Sequence, residues 1–287
     1  MRGAGPFVEV ADRVFHARYR QWDVGVGLVV GSGGALVVDT RAATAQGREV
    51  LDDVRRMGLG VDVTTVVNTH VHFDHTFGNP AFERATVIAH ERVAATFRAD
   101  AERVKRLVRD DLEAAPDYGY TVHDLHDLLD TNPRGPDVTV DERHSVDLGD
   151  RVVELAFAGR GHTDGDIRIT VPDARVVFLG DLVEESAPPS LGGDSWPLDW
   201  AATLDGHLAA VGPDVLVVPG HGRPVDLAFV GRQRDELAAV AAVIRDRHAA
   251  GIPLLQARQE PDGRLPYPLD GLADAFTRGY AQAGERA

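Results

Sequence analysis

The sequence predicts an α/β protein in which helices lie outside two packed sheets. Three observations lead there. Short apolar or alternating segments, the mark of buried and half-buried strands, fill the opening third and the stretch 138–218. Single segments of helical period separate these strand-rich blocks, the arrangement that layers helices over sheets. Finally, 287 residues with an ordinary apolar share can bury a sizeable core, which reads as a single domain over 1–287.

The chain opens on strands at Val8–Val10, Val14–Arg18, Gly25–Val30 and Ala35–Val38, parted by turn residues such as 31–34. In the helix Ala42–Met57, Val50, Leu51, Val54 and Met57 share one face before Gly58 ends the pattern. Strands Val63–Val67 and Thr86–Ala89 follow. A charged stretch at about 91–136 reads as a helical insertion. In it Val93, Phe97, Ala101, Val104, Val108 and Leu112 mark one amphipathic helix, and Leu125, Leu128 and Leu129 a second. It either covers a pocket or simply packs.

Strands resume at Val138–Val140, Val152–Phe157, Ile167–Val171 and Val176–Leu179, before a Pro/Gly-rich loop at 187–197. A helix at about Trp200–Val211, a strand at Val215–Val218 and a long Ala-rich helix at Leu227–Ala250 come next. In the long helix Phe229, Val230, Leu237, Val240 and Ile244 read as core packing or as a homodimer face. A last helix near Leu272–Ala281 closes the chain.

The formal charge of −15 argues against nucleic acid or an anionic membrane as partner, since both are held by clustered positive charge. A small-molecule substrate fits better. No apolar run approaches the roughly 18 residues of a membrane span, and Met1 to Phe15 lacks a secretory pattern, so the expected location is cytoplasmic. The chain has no cysteine, which leaves only nitrogen and oxygen donors for any metal. Its single lysine, Lys105, sits in a charged helical segment and makes a poor nucleophile candidate.

The stretch around which the function is organised is THVHFDH, Thr69 to His75. His70 and His72 stand two apart after a β-branched run, so on extended backbone they project to one side and can share a metal. A change of direction at Phe73 would turn Asp74 and His75 towards a neighbouring position. Three further polar candidates follow buried-looking strands in the same way: His162 in GRGHTDGD, Asp181 in FLGDL and His221 in PGHG. Four such strand ends on one sheet edge would converge on one site. Asp164 and Asp166, beside His162, are expected to hydrogen-bond backbone, as acidic residues in Gly-rich loops do.

THVHFDH, GHT, LGD and PGH, in that order and with VVDT upstream, resemble the metallo-β-lactamase-fold hydrolases over about residues 8–225. The resemblance implies an αββα sandwich of two mixed sheets with outer helices and a site at one edge. It implies one metal held by His70, His72 and His162, a second by Asp74, His75 and His221, and Asp181 bridging both. It further implies two Zn2+, with Fe or Mn as alternatives, and Asp39 of VVDT as a carboxylate that fixes a histidine ligand. Tyr118 and Tyr120 are candidate substrate contacts, as tyrosines are in some lactonase relatives.

The expected activity is hydrolysis of a small ester, thioester, lactone or amide. A hydroxide bridging the metals attacks the carbonyl, and Asp74 orients this nucleophile. Two alternatives stand beside it: a one-iron persulfide dioxygenase on the same scaffold, and β-lactam hydrolysis as a main or side activity. The absence of cysteine excludes the lactamase subgroup that places one at the Asp181 position.

Overall fold

A computed structural model describes residues 6–110 and 121–285. Two sheets form from strands whose alternate residues are buried on opposite faces. The first has seven strands in chain order: β1 (Val8–Ala11), β2 (Val14–Arg18), β3 (Gly25–Val30), β4 (Ala35–Val38), β5 (Val63–Val67), β6 (Thr86–His90) and β7 (Val138–Val140). Its first four strands are antiparallel hairpins and its last four run parallel, so the sheet is mixed. The second holds β8 (Arg143–Asp147), β9 (Val152–Phe157), β10 (Ile167–Val171), β11 (Val176–Glu184) and β12 (Leu216–His221). Its order is β12-β11-β10-β9-β8, with the β11–β12 pair parallel.

The helices are α1 (Thr44–Met57), α2 (Phe73–Thr76), α3 (Glu91–Asp110), α4 (Val122–Asp130), α5 (Trp200–Ala209), α6 (Leu227–Ala249), α7 (Leu254–Ala257) and α8 (Ala273–Glu285). The burial of single strands shows how the layers stack. In β4, Leu36 and Val38 enter the core between the sheets, while Ala35 and Val37 pack outward beside Val50 and Val54 of α1. In β11, Val176 and Phe178 enter that same inter-sheet core, and Val177 and Leu179 face α5, α6 and α8. Period-two side chains thus serve two cores at once. The result is helix, sheet, sheet, helix, the expected αββα sandwich.

The face of α6 carrying Val230, Leu237, Val240 and Ile244 lies in the core, so the packing reading of that stripe holds. Helices α3 and α4 form at the expected insertion. Val93 and Phe97 of α3 pack on Val71, the residue between His70 and His72, which ties the insertion to the histidine loop. The expected helical residue Leu112 lies outside the described residues. No described helix is long and apolar enough to cross a membrane.

Two expectations need correction. Asp181 and His221 stand inside β11 and at the end of β12, not in loops beyond them, because Leu182 and Val183 extend the buried run to Glu184. The four strand ends belong to two sheets: β5 to the first, and β9, β11 and β12 to the second. Face-to-face packing, not a shared edge, brings them together.

Candidate metal centre

Strand β5 leads into Asn68, Thr69 and His70, all buried. His72 keeps an extended backbone (φ −61°, ψ 150°) and α2 begins at Phe73. The predicted change of direction is therefore present, and it separates the pair His70 and His72 from the pair Asp74 and His75.

Asp39, at the end of β4, anchors this loop from below. Its carboxylate accepts hydrogen bonds from the Thr69 backbone N–H and hydroxyl, both at 2.8 Å, and lies 2.8 Å from His75 Nδ1. A carboxylate only accepts, so His75 Nδ1 carries the proton and Nε2 faces inward. Asp39 takes a left-handed backbone (φ 63°), a conformation that Asp tolerates better than most residues. Thr69 Oγ1 also lies 3.0 Å from His70 Nδ1, which aims His70 Nε2 the same way.

His72 is turned the other way round. Its Nε2 meets Asp194 Oδ2 at 2.8 Å, and its Nδ1 lies 2.9 Å from His162 Nε2. His162 in turn points Nδ1 at the Ser190 carbonyl oxygen, 3.1 Å away. Asp181 sits at the middle. Its oxygens lie 3.1 Å from His75 Nε2, 3.3 Å from His221 Nε2, 3.4 Å from His162 Nε2 and 3.7 Å from His70 Nε2. Asp74 Oδ2 closes the other side, 3.4 Å from His221 Nε2 and 3.6 Å from His75 Nε2.

The structure therefore brings together all seven side chains expected at the centre. They fall into two groups whose donor atoms all lie within 4.8 Å of one another: His70, His72, His162 and Asp181, and Asp74, His75 and His221. Both could hold a metal ion. His70 Nε2, His75 Nε2 and Asp181 Oδ1 are buried and have no hydrogen-bond partner among the described residues. Leaving such atoms unpaired costs about 1–3 kcal/mol each, and cations coordinated at these atoms would remove that cost. On this count the residues fit a metal site.

Electrostatics divide the histidines: burial opposes charge on His72, His75 and His221, but Asp194 raises His72 and Asp181 raises the other two, while the remaining pair shift down. Burial, reinforced by the neighbouring His75, holds His70 well below its usual pKa, and burial lowers His162 to about 4, so both rings favour the neutral form that ligates. Burial opposes charge on Asp181 too, but His75 and His221 outweigh it and keep the carboxylate ionised.

Comparison with known proteins agrees with this geometry. Residues 20–221, a span holding Asp39 and all seven side chains, match the family model described as the metallo-beta-lactamase superfamily. The chain belongs to that superfamily. Metallo-beta-lactamase type 2 of Bacillus cereus is 26% identical to it over 203 residues, 70% of this chain and 68% of the relative. Acyl-coenzyme A thioesterase MBLAC2 of Homo sapiens is 26% identical over 231 residues, 74% of this chain and 79% of the relative. Among solved structures, DIM-1 metallo-beta-lactamase exposed to ceftazidime matches with a TM-score of 0.60 at 18% identity, over 83% of this chain and 98% of that one. The sec-alkylsulfatase Pisa1 from Pseudomonas sp. matches with a TM-score of 0.74 at 17% identity, over 98% of this chain but only 50% of that one. These structural likenesses speak for the fold.

Two residues of this superfamily member escape the sequence reading. Asp194, which meets His72, comes from the loop SLGGDSWP, where an acidic residue looks like turn chemistry. Glu184 is buried near Asp181 and His221, yet lies three positions after Asp181, a spacing that sends strand residues to opposite faces. Asp166 behaves as expected and accepts bonds from the Thr163 N–H and hydroxyl. Tyr118 and Tyr120 lie outside the described residues.

Proposed function

We propose that the chain is a dinuclear metal-dependent hydrolase acting on a small ester, thioester, lactone or amide. One observation carries this reading: two adjoining donor groups meet at Asp181, and His70 Nε2, His75 Nε2 and Asp181 Oδ1 are buried there with no hydrogen-bond partner among the described residues. His70, His72 and His162 would hold one cation, Asp74, His75 and His221 the other, with Asp181 shared. Bound divalent cations, zinc suiting the imidazoles, would supply an acidified water at neutral pH and polarise an acyl oxygen.

The protein's own part is orientation. Asp39 and Asp194 fix the His75 and His72 rings, each through the nitrogen turned away from the centre. Asp74 is placed to accept a hydrogen bond from the attacking water and so to align it. The partner implied is a small molecule, and the chain is read as one domain. The similarity to a human acyl-coenzyme A thioesterase puts thioesters first among the substrates to try.

Elemental analysis paired with an ester, thioester, lactone and β-lactam panel tests the proposal. Two divalent ions per chain and hydrolysis that falls with metal content in His72→Ala and Asp181→Ala are expected. Full metal loading with unchanged turnover in either variant refutes the assignment, and one iron with sulfite formation from a persulfide would replace it.

A further inference from the structure

Beside the seven expected side chains, Glu184 stands at the centre without a role. It is 6% exposed, and no hydrogen bond or ion pair reaches its carboxylate among the described residues. Its backbone N–H donates to Gln233 Oε1 at 3.0 Å. A carboxylate donor atom of Glu184 nevertheless lies within 4.8 Å of donor atoms of both Asp181 and His221.

Strict alternation would put residues 181 and 184 on opposite faces of β11. The strand avoids this because its register with β12 slips between Gly180 and Glu184, which leaves Glu184 paired directly with His221. Such an irregularity re-aims a side chain. Here it turns a second carboxylate of one strand towards the same centre. Two carboxylates so close, with Asp181 Oδ1 buried and unpaired, are costly unless something positive joins them.

We propose that Glu184 is a further ligand of the second cation, which widens the chemical difference between the two metal positions. The inference rests on the dinuclear reading above. With Glu184, the second position offers Asp74, Asp181 and Glu184 with His75 and His221, three carboxylates to two imidazoles. The first offers His70, His72 and His162 with Asp181 alone. Carboxylate donors suit Mn2+, whereas imidazole suits zinc. Zinc binds more tightly than manganese at either position, as the general order of divalent affinities requires. The difference lies in the ratio, so the second position takes Mn2+ when zinc is limiting and the first does not.

The full chain, stripped by chelation and given one equivalent of zinc, is titrated with Mn2+ and followed by electron paramagnetic resonance. Wild type is expected to bind one Mn2+ next to the retained zinc. Glu184→Gln, of matching shape, should weaken Mn2+ by about tenfold or more, since even an outer partner of a metal site is worth that, while zinc at the first position stays. Anomalous diffraction from wild-type crystals soaked in Mn2+ gives a readout independent of any variant and should place a peak within bonding distance of the Glu184 carboxylate. Unchanged Mn2+ affinity in Glu184→Gln, or a peak remote from Glu184, overturns this proposal and leaves the dinuclear hydrolase standing. A wild type that binds no second cation of either kind overturns both.

Discussion

Asp39 and His75 meet at 2.8 Å, Oδ2 to Nδ1, the first at the end of β4 and the second in α2, beyond the loop that leaves the neighbouring strand β5. The same carboxylate also accepts two bonds from Thr69, so one residue sets both the entry to the histidine loop and the direction of a donor at its far end.

Asp39→Asn keeps the side-chain shape and a residue that tolerates the left-handed backbone, but gives up the charge and one acceptor. Metal affinity should fall about 10- to 100-fold, the range typical for partners behind a metal ligand. Stability should fall by about 1–3 kcal/mol from weakened bonds to a buried carboxylate. Titration with a chelator and urea unfolding of the metal-free protein separate the two effects. Unaltered affinity would show that His75 is held by something else.

Asp194→Asn tests the opposite side of the centre. The Asp194 side chain is 45% exposed, so its grip on His72 is screened and the loss should sit near the lower end, about tenfold. Because Asp194 comes from a loop and not the core, the thermal midpoint of the metal-free protein should stay within a few degrees. A variant that loses folding and metal together would make Asp194 a structural residue.

Gly220 leaves room for Asp181. A Cβ built there would lie 1.8 Å from Asp181 Oδ1 and 2.9 Å from the Asp181 backbone nitrogen, so Gly220→Ala must displace the shared carboxylate. The variant should still fold, at about 1–3 kcal/mol for overpacking, yet lose bound metal and turnover together. Normal metal content in Gly220→Ala would argue that Asp181 is not shared by two cations.

His207 provides a test of acid stability away from the centre. It is buried on α5 with Nε2 unpaired, and burial, aided by Arg168, pushes it down to about 3. In the unfolded chain a histidine titrates near 6.5. Between these values the unfolded chain holds a proton that the folded one lacks, so unfolding free energy rises with pH across about 3 to 6.5. The contribution is fully present above the unfolded value and disappears as pH falls through the folded one. In His207→Gln that part of the slope, on the order of a few kcal/mol over the window at about 1.4 kcal/mol per unit, should vanish. Parallel curves for the two proteins would show that His207 is protonated when folded.

What was legible in the sequence follows physical lines. Strands buried on both faces, such as GVGLVV and ALVV, announce themselves through continuous β-branched runs, and their observed limits agree with the reading. Arg143–Asp147 does not, because in RHSVD only Val146 is buried and the strand lies at a sheet edge. Four of the candidate metal donors, His70, His72, Asp74 and His75, are visible because they crowd into seven residues. Asp194 and Glu184 are invisible for a different reason: one arrives from a turn-like loop, and the other is aimed by a register slip that no residue pattern encodes. Local chemistry can be read along the chain, whereas convergence depends on how two sheets pack.

The most direct test of the central claim is an anomalous-difference map from crystals of the full chain grown with zinc, recorded on both sides of the zinc edge. The account predicts two peaks per chain, one among His70, His72 and His162, the other among Asp74, His75 and His221, with Asp181 reaching both. A single peak, or two peaks that do not share Asp181, would contradict it.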